Sequence, residues 1–86
     1  MKHNLYAIKD IKAGTFGLPV KSQNAVTSMR EVITAAKAEG SALNQFPQDF
    51  QLFRVSEYDD ETGTFKGEPE FIIDVISLIQ KDVKNG

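Results

Sequence analysis

The segment Phe50-Gln51-Leu52-Phe53-Arg54-Val55-Ser56-Glu57-Tyr58 constrains this chain most. It is rich in strand-forming residues and has no glycine or proline. It runs into Asp59-Asp60-Glu61-Thr62-Gly63, a turn, and then into Thr64-Phe65-Lys66. An isolated hairpin is barely stable in water, so this unit must join a larger sheet or pack against a helix. A three-residue loop with Gly63 in the left-handed region sets Asp60 opposite Thr64, Asp59 opposite Phe65 and Tyr58 opposite Lys66. Phe65 then shares a face with Phe53, Val55 and Glu57, and Lys66 shares one with Leu52, Arg54, Ser56 and Tyr58. A four-residue loop would shift this register.

The first half supplies similar parts. Leu5 to Asp10 reads as a strand, and Ile11-Lys12-Ala13-Gly14 as a turn. Thr15 to Lys21 alternates, with Phe16, Leu18 and Val20 on one face, and Pro19 marks it as an edge strand. Ser22 suits a helix N-cap. Val26, Met29, Ile33 and Ala36 recur at helical spacing, with Thr27, Arg30, Thr34 and Lys37 opposite, which predicts a helix over 23–39 ending at Gly40. Residues 41–49 read as a loop.

A last helix is predicted from Pro69, with Glu68, Glu70 and Asp74 near its positive end. Ile72, Val75, Ile76, Ile79 and Val83 form its apolar stripe, Lys81 and Lys84 suit its C-terminal end, and Asn85-Gly86 ends it. Phe71-Ile72-Ile73 is also strand-like, so residues 70–74 fit strand or helix. The predicted architecture is a single α+β domain spanning 1–86, ordered ββαββα. Four mostly antiparallel strands would form one sheet with two helices on one face. The halves repeat the order of elements, and no residue repeat connects them. The other sheet face is left to solvent or a partner.

At 86 residues the core is thin; such a chain buries roughly 60–65% of its unfolded surface. Oligomerisation often compensates. Phe71, Ile73 and Leu78 widen the apolar stripe of the last helix, which fits either a homodimer seam or a deeply packed helix. No apolar run reaches the roughly 20 residues of a membrane span, and no secretory signal opens the chain. With no cysteine, these features predict a cytoplasmic protein.

The absence of cysteine excludes disulfides and thiol chemistry, and a single histidine excludes catalysis that needs two. His3 lies near the N-terminus, and no serine sits in a nucleophile motif. Asp59, Asp60 and Glu61 cluster at a turn, but a calcium loop opening at Asp59 would need glycine where Thr64 stands. Gly14-Thr15-Phe16-Gly17 lacks the rest of a phosphate-binding motif. No enzyme, cofactor, metal or small-molecule substrate is predicted.

The formal charge is −2, which argues against a polybasic nucleic-acid coat. Residues 1–43 nevertheless carry six basic and three acidic side chains, and residues 44–86 four basic and nine acidic ones. A basic face can therefore exist on an acidic chain. On the predicted register Arg54, Tyr58 and Lys66 share the open face with Lys9, and Lys12 and Lys21 flank the first hairpin. Aromatic rings beside cations are what single-stranded nucleic acid binds. Solvated strand faces carry the same residue types.

The chain resembles the small nonstructural proteins of gokushoviruses, single-stranded-DNA phages of the Microviridae. The resemblance runs from Tyr6-Ala7-Ile8-Lys9-Asp10 through Gly63, about 70% of the chain, and is weak over 66–86. Pro47, Asp49, Phe50, Leu52, Phe53, Tyr58, Asp59, Thr62 and Gly63 match the family signature. Ser56 stands where family members usually have glycine, which favours a regular strand. The resemblance implies a non-enzymatic phage protein made in the host cytoplasm and absent from the virion. It also implies DNA binding or a part in single-stranded genome synthesis, with single-stranded DNA or replication proteins as partners. The other reading is an adaptor or host-interaction factor that uses the acidic half and the apolar C-terminal helix.

Overall fold

The computed structural model describes the backbone of residues 1–85 and the side chains of residues 1–81. The expected roles of Val83, Lys84 and Asn85-Gly86 lie outside the described side chains. Strand β1 (Lys2–Asp10) turns into β2 (Thr15–Phe16) and β3 (Val20–Ser22), followed by helix α1 (Ala25–Lys37). A short helix α2 (Ala42–Gln45) and a 3-10 turn (Pro47–Asp49) lead into β4 (Phe50–Asp59). Then come β5 (Thr64–Lys66), β6 (Glu70–Asp74) and helix α3 (Val75–Asn85).

The α+β class and the antiparallel sheet are as the sequence implies, but the sheet has six strands rather than four, and a third, short helix, α2, stands in the segment 41–49 that reads as a loop. They occupy four columns. The central pair is β1 and β4; β2 and β3 both pair with β1, and β5 and β6 both pair with β4. Each edge column is split because its Gly-x-Pro segment, Gly17-Leu18-Pro19 or Gly67-Glu68-Pro69, cannot sustain a ladder. Residues 70–74 are strand rather than the start of the last helix. Phe71 and Ile73 pair there with Phe53 and Leu52, contacts that a helix would forfeit.

Both hairpins use four-residue loops, which overturns the three-residue register. Gly14 (φ 72°) and Gly63 (φ 70°) take the left-handed conformation, and their N–H groups donate to the Asp10 and Asp59 carbonyls at 2.8 Å. The aspartate side chains add a second tie: Asp10 Oδ1 accepts from the Ala13 N–H and Asp59 Oδ1 from the Glu61 N–H. The two loops are one motif used twice, Asp10-Ile11-Lys12-Ala13-Gly14-Thr15-Phe16 and Asp59-Asp60-Glu61-Thr62-Gly63-Thr64-Phe65. The halves are thus linked by a residue repeat, contrary to the sequence reading.

Helix α1 starts later than expected. Asn24, not Ser22, caps it, accepting from the Thr27 N–H at 2.9 Å. Ser22 closes β3 instead, buried, with its hydroxyl donating to Glu31 Oε1 at 3.3 Å. The buried stripe is Ser28, Val32 and Ala36, and Val26 is exposed. Of the apolar positions taken from spacing, Met29 and Ile33 pack against the core and Ala36 is buried, while Val26 points to solvent. Tyr6, Val32, Leu52, Val75 and Leu78 form the core, so α1 and α3 cover the sheet face that carries Tyr6 and Leu52. The shortest dimension is 19 Å, enough for one sheet and one helical layer.

Candidate nucleic-acid interface

Strand pairing fixes which side chains share the helix-free face. Antiparallel partners lie on the same side, and successive residues alternate. Ala7 pairs with Phe53, Phe53 with Phe71, and Lys9 with both Gln51 and Phe16. Because Ile8 and Leu52 face the core, this second set faces away from the helices. Three phenylalanines from β2, β4 and β6 therefore line up across the sheet. Phe16 meets Phe53 edge-on at 5.1 Å between centroids, and Phe53 meets Phe71 edge-on at 5.8 Å. Lys9 Nζ lies 5.6 Å from the Phe16 ring and 5.9 Å from the Phe53 ring, within cation–π range. Phe16 and Phe71 are 42% and 50% exposed, so the row keeps ring surface for a ligand.

A second aromatic pair sits farther along the same face. Tyr58 pairs with Phe65, their rings 4.9 Å apart, and Phe65 is largely exposed. The repeated hairpin explains the placement, since Phe65 relates to Tyr58 as Phe16 relates to Lys9. Five of the eight aromatic side chains thus occupy one sheet face. Gln51 borders the first row and donates to Asp74 Oδ1 at 3.0 Å.

The site residues expected from sequence divide between the two faces. Lys9 and Tyr58 are on the helix-free side, and Lys21, opposite Leu5, joins them. Lys12 is exposed at the tip of the first hairpin. Arg54 and Lys66 are on the other side. Arg54 stands opposite Tyr6, donating to Asn4 Oδ1 at 3.3 Å and pairing with Glu70 at 3.1 Å. Lys66 stands opposite Glu57 rather than Tyr58. Two features cause the split: the four-residue loop shifts Lys66, and a bulge at Val55, which has no partner on β1, separates Arg54 from Tyr58.

Sequence reasoning missed Phe16 and Phe53 as site residues because it placed Phe53 on the face opposite Arg54 and Tyr58. The signal was present: the repeated Gly-Thr-Phe places Phe16 and Phe65 alike. Phe71 was expected in a helix-borne dimer seam with Ile73 and Leu78. Those three do not form one surface, because Ile73 pairs with Leu52 on the core side and Leu78 is buried.

The acidic turn has a structural task. The Met1 ammonium pairs with Asp60 at 2.7 Å and Glu61 at 3.4 Å, and His3 Nε2 lies 2.7 Å from Asp60 Oδ2. The hydrogen bonds from the N-terminus and His3 hold the Asp60 carboxyl below its ordinary range, and the same contact raises the terminal amine. Among the described residues no group of three or more His, Asp or Glu is arranged to hold a metal. No described helix is long and apolar enough to cross a membrane.

A family model described as Phage ORF5 protein matches residues 3–78. The match covers both hairpins, α1 and the start of α3, and so includes every residue of the aromatic face. No curated protein matches, and no solved structure matches.

Proposed function

This chain belongs to the Phage ORF5 protein family, and from that premise we propose that it binds single-stranded DNA weakly through the helix-free sheet face. In this reading it is a non-enzymatic, nonstructural protein of the gokushovirus type. It acts in the host cytoplasm during phage DNA replication or single-stranded genome synthesis, beside the replication proteins. The observation that supports the reading is the row Phe16–Phe53–Phe71 with Lys9 over it. Bases have π-faces that stack on such rings without regard to sequence, and a cation among the rings meets the phosphates. Few cations lie on the face, which suits weak binding rather than a tight coat. Arg54 and Lys66 are not contacts in this proposal.

Fluorescence anisotropy with a labelled oligonucleotide at low salt tests it. Binding is expected in the micromolar range, to weaken as salt rises, and to fall on Phe71→Ala or Lys9→Ala. Arg54→Ala should leave it nearly unchanged. No binding, or equal loss with Arg54→Ala and Lys9→Ala, would sink the proposal.

A second reading has its own support. Phe16, Phe65 and Phe71 are exposed on a sparsely charged face, and such patches also mark protein contacts. A replication or host protein would then be the partner. Retention of the purified replication partner by wild type but not by Phe71→Glu, with DNA binding absent, would favour it.

A further inference from the structure

Each half of the chain builds one edge of the sheet, so the charge difference between halves becomes a difference between edges. Residues 11–22 form one edge column and carry Lys12 and Lys21 with no acidic residue. Residues 60–74 form the other and carry five acidic residues against Lys66. Each edge also exposes apolar side chains. Leu18 is 89% exposed and Val20 57% on the basic edge; Phe65 is 68% exposed and Phe71 50% on the acidic one. Among the described residues, neither β3 nor β6 has a strand partner on its outer side.

We propose that copies of this chain associate head to tail, the Leu18–Lys21 edge of one against the Glu68–Phe71 edge of the next. The occupant is a second copy because the complementary charges and apolar groups stand on the opposite edge of the same molecule. Such a contact is heterologous and does not close on itself, so it builds open rows rather than a two-fold dimer. Pro19 and Pro69 interrupt the edges and β3 has only three residues, so side chains rather than a long ladder carry the contact. That makes it weak and salt-sensitive. Nearby charges temper it: Glu31 lies beside β3, accepting from Ser22, and Glu70 pairs with Arg54. In a translational row the helix-free faces lie on one side, which would extend the proposed DNA site. The association itself does not rest on that reading and is tested without DNA.

Sedimentation velocity of the full chain, from micromolar to millimolar at low and high salt, is the experiment. At low salt the average mass should rise past two copies without a plateau, and high salt should reverse it. Lys21→Glu and Glu68→Lys should each weaken association by about tenfold or more. An equal mixture of the two should recover it, because each variant's altered edge then meets an edge of opposite sign. A monomer at every concentration, a plateau at two copies, or a mixture no better than either variant alone would overturn the proposal. Circular dichroism confirms that both variants fold. If one does not, the wild-type salt dependence decides alone, and no mass increase at low salt overturns the proposal.

Discussion

Tyr6 stands directly opposite Arg54 across the two central strands, while its neighbour Leu5 stands opposite Ser56, leaving Val55 without a partner. This bulge sits midway along the long β1–β4 pair. On one side of it, even-numbered β4 residues such as Leu52 and Arg54 face the helices; beyond it, Glu57 and Asp59 do. One extra residue thus decides which side chains meet the core and which lie on the helix-free face.

Tyr6 should titrate abnormally. Burial raises its phenol above the ordinary 10.0, Arg54 pulls it down, and Glu70 pushes it up. In a Tyr58→Phe background, Tyr6 is the remaining tyrosine and its ultraviolet absorbance can be followed with pH. Arg54→Ala should move its titration upward and Glu70→Gln downward. Because the folded value exceeds the unfolded one, this contribution to stability is present below pH 10 and is lost as pH rises through the folded value. A titration unmoved by either substitution would contradict the placement of Arg54.

The two hairpins and α1 were legible because strong local signals carry them: the β-rich run at 50–58, the helical spacing after Ser22, and the glycine turns. Side assignment was not. It depends on loop length and on one bulge, and neither leaves a clear mark in hydrophobic alternation. Both Leu52 and Phe53 are apolar, so alternation could not say which faced inward. The Gly-x-Pro breaks were half legible: Pro19 marked an edge strand, but the return of 70–74 to the sheet required β4 as a partner.

That ambiguity gives a direct test of the two faces. Leu52 is 1% exposed in the core, whereas Phe53 lies on the helix-free face. Leu52→Ala should cost roughly 2–5 kcal/mol, a large share of a small domain's stability. Phe53→Ala should cost less, on the order of 1–2 kcal/mol from two lost ring contacts, and should instead weaken the proposed binding of single-stranded DNA. Urea denaturation of both variants measures the difference. A larger loss for Phe53→Ala would reverse the face assignment.

The repeated hairpin predicts matched behaviour at Gly14 and Gly63. A Cβ at either position would meet no atom within 4 Å, so crowding is not the issue. The positive φ is, and alanine there costs roughly 1–2 kcal/mol. Gly14→Ala and Gly63→Ala should therefore lower thermal stability by similar amounts, with asparagine milder at both sites. A large effect at one and none at the other would show that the loops are not equivalent.

The tie between the N-terminus and the second hairpin should give stability a two-sided pH dependence. Asp60 is held below its ordinary 3.8, so its contribution is present above that value and is lost as pH falls through the depressed one. The Met1 amine is raised above 8.0, so its contribution is present below that value and is lost as pH rises through the raised one. Both groups are exposed, and salt should shrink the effect. Asp60→Asn should flatten both limbs of a thermal stability profile against pH. It should also release His3, whose ring resonances report the loss by NMR. A profile identical to wild type, with His3 unmoved, would mean that the contact contributes nothing in solution.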